Sequence, residues 1–388
     1  MKPLHLMETV RTLFLGLGAL PARMRKDLSS RMPRDLPSSL AANLRATVLG
    51  RMAVIFLAIS LALAGCASQS ANSRKTGDAN PTAIRLSEVV HSVFYTPLYV
   101  ALNLGYFEEE KLKIEMSTAW GGDKAMTALV AEQADIALIG PETIIYTLQQ
   151  GLDKKILCFA QLTQRDGSFL VGRPGQNFSW DGLKGKTIIG ARKGGVPEMV
   201  LERVLNEKGL QPFEDVKIIQ NIQFTATAGA FQAGTGDYVA LFEPTVSELE
   251  QAGAGQVVAS LGVESGKIPY TVFMASDDYI NKNRAAVIAF TKALYRAQQW
   301  TASHSIDEIT DVILPSFQGS DRAVVRKAVE RYHRQESWAV DPQMQLGGLD
   351  YLQSIIESAG ELKQRIPEER LIRRDIAEEV LRGTLRPQ

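Results

Sequence analysis

Two hydrophobic regimes divide the chain. From residue 82 to about residue 275, apolar residues come in short runs, each closed by a turn bearing Gly or Pro and usually followed by apolar residues at helical spacing. Beyond Asp277 only the helical spacing remains. The runs predict strands at 84–90, 112–117, 135–139, 155–164, 169–172, 187–190, 216–219, 238–242, 257–260 and 268–275. Between them the pattern predicts helices from Thr96 to Leu104, from Gly122 to Glu132, from Glu142 to Gly151 and from Pro197 to Lys208, with a shorter one at 224–232. Thr96-Pro97 supplies an N-cap with proline at the first helical position, and Gly209 suits a helix C-terminus. The last third reads as helices at 285–302, 306–314, 321–336, 343–358 and 367–381.

Strand and helix in alternation predict an α/β protein with parallel sheet and helices on both faces. The stretch Ala134–Tyr146, ADIALIGPETIIY, states the plan most clearly: a buried strand, a tight turn at Gly140-Pro141, and a helix opening at Glu142. Such a turn leaves backbone N–H groups pointing beyond the strand end, where open α/β sheets bind ligands. Trp120-Gly121-Gly122-Asp123, the 190–195 turn GARKGG and Leu241-Phe242-Glu243-Pro244 repeat it. These turns are expected to converge on one cleft between two lobes.

The first 81 residues differ in kind. Residues 1–51 are basic and aperiodic, and read either as untranslated or disordered sequence from a misassigned start codon or as a true long cytoplasmic leader. The apolar core of a signal peptide occupies 52–65, too short to cross a bilayer comfortably. It ends in Leu63-Ala64-Gly65-Cys66, which resembles the lipobox of bacterial lipoproteins; lipidation of Cys66 would tether the protein to a membrane. The rest of 66–81 is small and polar, and reads as a flexible tether.

Composition narrows the function. Forty-three basic and 43 acidic residues cancel, which argues against a nucleic-acid partner. Two cysteines, of which Cys66 is spoken for, leave no internal disulfide, and Cys158 lies in an apolar run as a core thiol. Four scattered histidines offer no metal-ligand spacing, so neither metal nor cofactor is expected. No nucleophile–base arrangement is legible, so the chain is not expected to be an enzyme.

SEVVHSVFYTPLYVALNLGYFEEE, ADIALIGPE, GARKGGVPEM, GDYVALFEP and GKIPYTVFMA occur in that order after a lipobox. Together they resemble the bacterial solute-binding proteins of the nitrate/sulfonate/taurine and thiamine-pyrimidine-precursor group, over about residues 82–360. The resemblance implies a two-lobed, type II periplasmic-binding-protein fold: lobe 1 at 82–170, lobe 2 at 171–268, and 269–388 returning to lobe 1 with a helical C-terminal region. It also implies a monomer that delivers a small molecule to an ABC permease and its ATPase outside the cytoplasm. Carried over, the ligand-binding positions are Ser92, Phe94, Tyr95, Gly122, Pro141, Glu142, Gly194, Gly195, Thr225, Phe242 and Glu243, with Tyr270 in the returning strand. Some relatives of the fold are cytoplasmic pyrimidine synthases with a cysteine-rich motif, which this chain lacks.

Glu142 and Glu243 either stabilise their own helix dipoles or accept hydrogen bonds from a donor-rich planar ligand such as an amino-pyrimidine. Two carboxylates near an anion would repel it, whereas Arg192 and Lys193 keep a sulfonate, taurine or nitrate reading open. Phe94, Tyr95 and Phe242 either sandwich a ring or fill the core. His91 is expected in a surface or capping role.

Overall fold

The computed structural model describes residues 80–384; the basic leader, the apolar run, Cys66 and most of the tether lie outside them. Ten strands form two five-stranded sheets. The first sheet has the order β2-β1-β3-β10-β4, from β1 (Thr82–Glu88), β2 (Leu112–Thr118), β3 (Ile136–Ile139), β4 (Ile156–Thr163) and β10 (Thr271–Ser276). The second has the order β7-β6-β8-β5-β9, from β5 (Ser168–Gly172), β6 (Thr187–Ile189), β7 (Lys217–Ile219), β8 (Tyr238–Phe242) and β9 (Gln256–Ser260). Every residue of β3 and β4 is buried, as expected of strands covered on both faces.

Neither sheet is purely parallel, which corrects the expectation from the strand–helix alternation. β1 pairs in parallel with β2 and β3, but β10 inserts antiparallel between β3 and β4. In the second sheet β5 runs antiparallel to both β8 and β9. The reason is connectivity: β5 and β10 are the strands through which the chain enters one lobe from the other, so they run against their neighbours. The crossover into lobe 2 ends at Ser168, slightly before the boundary read from sequence. Residues 268–270, expected in the returning strand, form the second crossover instead. There Ile268 N–H donates to Gln164 O at 3.1 Å, Tyr270 N–H to Thr163 O at 3.1 Å and Thr271 N–H to Thr163 Oγ1 at 2.9 Å. The two crossovers are thus laced into one hinge.

The C-terminal third holds long helices at Arg284–Ser303 and Arg322–Arg334, close to expectation. Two expected helices are shorter. Helix Gly348–Ser358 begins five residues after the start read at 343, and helix Arg374–Thr384 begins seven after the start read at 367. Residues 371–373, lost from the second of these, cover the open edge of β4 together with the 339–342 loop. Cys158 N–H donates to Leu371 O, Arg373 N–H to Cys158 O, Gln161 N–H to Pro342 O and Ala339 N–H to Leu162 O. A sheet edge capped this way offers no row of free backbone groups to another chain. Cys158 itself is fully buried in β4, and burial pushes its thiol pKa up. Among the described residues no helix is long and apolar enough to cross a membrane.

Candidate functional site

The C-terminal ends of the central strands of both sheets open on one cavity of about 770 Å³. Three backbone bonds fix its first-lobe wall: Val89 N–H to Leu138 O at 3.0 Å, Ala119 N–H to Glu88 O at 2.9 Å and Gly121 N–H to Val89 O at 3.1 Å. Beneath this wall the buried Glu88 carboxylate accepts from Tyr99 Oη at 2.6 Å and Thr118 Oγ1 at 2.8 Å, and pairs with His91 Nδ1 at 2.9 Å. His91 also meets Ser316 O at 2.8 Å, so it ties the first loop to the 314–316 turn and does not line the cavity.

Seven of the twelve expected ligand positions line the cavity: Tyr95, Gly122, Glu142, Gly194, Gly195, Phe242 and Tyr270. The other five do not. Phe94 is buried beneath the hinge, with ring centroids 4.9 Å from Tyr332, 5.5 Å from Tyr270 and 5.9 Å from Phe242. A Cβ on Gly167 would come within 2.8 Å of the Phe94 ring, so that crossover residue must be glycine or the ring must move. Ser92 spends its hydroxyl on Glu243 O at 2.6 Å and accepts from Phe94 N–H. Pro141 is a buried N-cap residue, and Thr225 is exposed and does not line the cavity, although Phe224 and Thr227 beside it do.

Glu243 is the clearest departure. It is 1% exposed and its carboxylate is fully engaged: Arg331 Nη1 donates at 2.6 Å, Ser247 N–H at 2.9 Å and Ser247 Oγ at 3.0 Å. Arg331 also pairs with Glu250. This buried pair locks helix Arg322–Arg334 to lobe 2 and leaves no acceptor for a ligand.

Glu142 is the opposite case. It is 8% exposed, it lines the cavity, and its Oε2 has no hydrogen-bond partner. Burial pushes its pKa up from 4.5 to about 7. Nearby, the buried Tyr270 hydroxyl interacts with the Asp166 carboxyl behind it, which does not line the cavity; burial raises the pKa of both groups, that of Asp166 to about 6. An unpaired buried polar group is costly, so Glu142 marks where a ligand with complementary polarity gains most.

Apart from Glu142 the lining carries three cations, Arg192, Lys193 and Lys363, against two carboxylates, Asp123 and Glu361. Arg192 pairs with Asp123 across the cleft mouth at 3.2 Å, and Lys193 pairs with Glu361 at 3.6 Å. Lys363 stands exposed at the rim. Tyr146 bridges the lobes as well, its hydroxyl donating to Gly194 O at 2.8 Å. No cation is paired with Glu142, and no group of three or more His, Cys, Asp or Glu among the described residues could hold a metal ion.

Sequence reading missed Trp120, Tyr146 and Phe224 as lining residues. The signal for Trp120 and Phe224 was a single large apolar residue in an otherwise polar turn, a pattern too common to single out.

Comparisons with known proteins agree with this architecture. The family model described as NMT1/THI5 like matches residues 93–306. A curated relative from Bacillus subtilis (strain 168), the binding protein YtlA, is 49% identical over 300 residues, covering 77% of this chain and 90% of its own. The ligand-binding component of an ABC-type import system from Staphylococcus aureus, solved with zinc bound, has a TM-score of 0.64 at 14% identity, covering 77% of this chain and 99% of its own. The alkanesulfonate-binding protein SsuA from Xanthomonas axonopodis pv. citri, bound to MOPS, has a TM-score of 0.61 at 18% identity, covering 76% and 99%. The two lobes, mixed sheets and helical C-terminal region are those of the periplasmic-binding-protein fold.

Proposed function

The chain belongs to the NMT1/THI5-like family, and from that premise we propose that it is the extracytoplasmic solute-binding component of an ABC importer, capturing a small planar nitrogen-containing molecule between its lobes. The similarity to a Bacillus binding protein and to the ligand-binding component of a Staphylococcus ABC-type import system supports the role. Lipidation at Cys66 would hold the protein at the membrane beside its permease and ATPase, and it would work as a monomer. The ligand binds the closed arrangement of the lobes more tightly than the open one, which is what drives closure.

One observation carries the ligand class: the Glu142 carboxyl lines the cleft with no cation beside it, and its Oε2 is buried without a hydrogen-bond partner. A carboxyl there accepts a hydrogen bond from an amino group or ring N–H, and a charge-assisted bond of this kind contributes about 1.5–3 kcal/mol. The ionised form of that carboxyl repels a sulfonate or nitrate, and Arg192 and Lys193 are already paired with carboxylates, which leaves an anion Lys363 at the rim. Tyr95, Phe242 and Tyr270 supply ring faces, and Gly122, Gly194 and Gly195 supply backbone close to the ligand.

A thermal-stability panel tests this. A ligand that binds only the folded state at a hundredfold excess over its dissociation constant adds about 2.7 kcal/mol of stability. Amino-heteroaromatics should raise the midpoint of the wild type and not of Glu142→Ala. A rise with alkanesulfonates or nitrate alone would keep the importer role and reject the ligand class.

A further inference from the structure

The cavity is longer than one ring needs. Helix Glu142–Gln149 lines it at Glu142, Thr143, Tyr146, Thr147 and Gln149, from its first residue to its last. At the rise of an α-helix this wall is roughly 10 Å long. Its volume of about 770 Å³ falls in the range that encloses drug-sized molecules.

Two large rings in this cavity belong to no core. Trp120 comes from lobe 1 and Phe224 from lobe 2, and they keep 47% and 40% of their surface exposed. Phe224 meets Phe242 with ring centroids 5.9 Å apart, at 51°, so its face is not covered by stacking. Trp120 has φ +57°, a left-handed conformation that bulky residues seldom adopt. Backbone held there persists only where the surroundings enforce it, and such positions cluster at ligand clamps. Here the enforcement is visible: Gly121 N–H bonds to Val89 O at 3.1 Å, and Arg192 holds Asp123 just beyond. The turn therefore presents an indole to the cleft at a conformational cost that core packing does not explain.

We propose that the ligand has two planar parts: a nitrogen-bearing edge seated on Glu142 and a second ring lying against Trp120 and Phe224, so that the cleft selects fused or linked two-ring amino-heteroaromatics over single rings. This rests on the reading that Glu142 anchors an amino-heteroaromatic. Trp120 and Phe224 are then the residues that set specificity for ligand length, and each lobe contributes one of them. Because they come from opposite lobes, the second ring engages both only when the lobes are closed.

The test is calorimetric titration of the full-length protein with two probes, 4-amino-2-methylpyrimidine and 4-aminoquinazoline. The wild type should bind the fused probe about tenfold more tightly or better, the return expected of two added aromatic contacts. In Phe224→Ala and Trp120→Ala the ratio should collapse to within about threefold, with a cooperative thermal transition in each variant reporting that it is folded. Tryptophan fluorescence gives an independent reading, because of Trp120, Trp180, Trp300 and Trp338 only Trp120 lines the cavity. The fused probe should quench the wild type and leave Trp120→Phe unquenched, with its calorimetric affinity kept. Equal affinities for the two probes, an unchanged ratio in both alanine variants, or quenching that survives Trp120→Phe would overturn this inference and leave the carboxyl anchor standing. Binding of neither probe would overturn both.

Discussion

Replacing Glu142 by glutamine should stabilise the ligand-free protein, and by an amount that depends on pH. In the fold the carboxyl has a pKa of about 7 against an ordinary 4.5, because burial disfavours its charged form. At about 1.4 kcal/mol per pH unit the displacement corresponds to about 3 kcal/mol. The sign follows from proton counts. Below pH 4.5 the group is protonated in both folded and unfolded chains and contributes nothing. Between 4.5 and 7 the unfolded chain ionises while the folded one keeps its proton, so stability falls as pH rises. Above pH 7 both are ionised and the full penalty persists. Glutamine carries no such penalty. Urea unfolding of wild type and Glu142→Gln across pH 4.5 to 8.5 should show the variant gaining on the wild type through this window, by up to about 3 kcal/mol at the alkaline end. Taking the difference between the two proteins cancels other titrating groups such as Asp166. A difference that stays flat with pH, or one that moves the opposite way, would refute the claim that Glu142 is buried without a compensating partner.

Three more perturbations probe other parts of the account. Arg331→Ala leaves the Glu243 carboxylate buried and unpaired, so unfolding free energy should drop by about 3–5 kcal/mol, with much of it restored by adding Glu243→Gln. Tyr146→Phe removes the hydroxyl that reaches Gly194 O across the cleft; it should weaken ligand binding by roughly fivefold, equivalent to about 1 kcal/mol, with little change in ligand-free stability. Gly140→Ala places a Cβ 2.0 Å from Glu142 Oε2, so the carboxyl must swing away; titration should show at least about a tenfold loss of affinity in a protein that still folds.

The Glu142–Glu243 contrast shows what the sequence could reveal and what it could not. Both residues sit in the same local signature, a buried strand, a turn with proline and a helix, and both turns form as read. Their roles part because Arg331, 88 residues downstream, reaches one and no cation reaches the other. Local pattern encodes the turn; the partner is set by tertiary packing of a helix whose position the pattern does not specify. Phe94 was ambiguous for the same reason, since ring-stacking on a ligand and packing on Tyr332 demand the same residue type. Strand existence was legible from period and turns, but strand order was not: β10 enters between β3 and β4 from more than 100 residues away. Residues 371–373 carry helical periodicity and still leave the helix, because the edge of β4 recruits their backbone.

The most direct measurement is native mass spectrometry of the full-length protein incubated with an equimolar mixture of 4-aminoquinazoline, ethanesulfonate and nitrate. The account predicts one adduct, at the mass of the heteroaromatic, absent from Glu142→Ala. An adduct of ethanesulfonate or nitrate with no heteroaromatic bound would contradict it and would move attention to Arg192 and Lys193 at the cleft mouth.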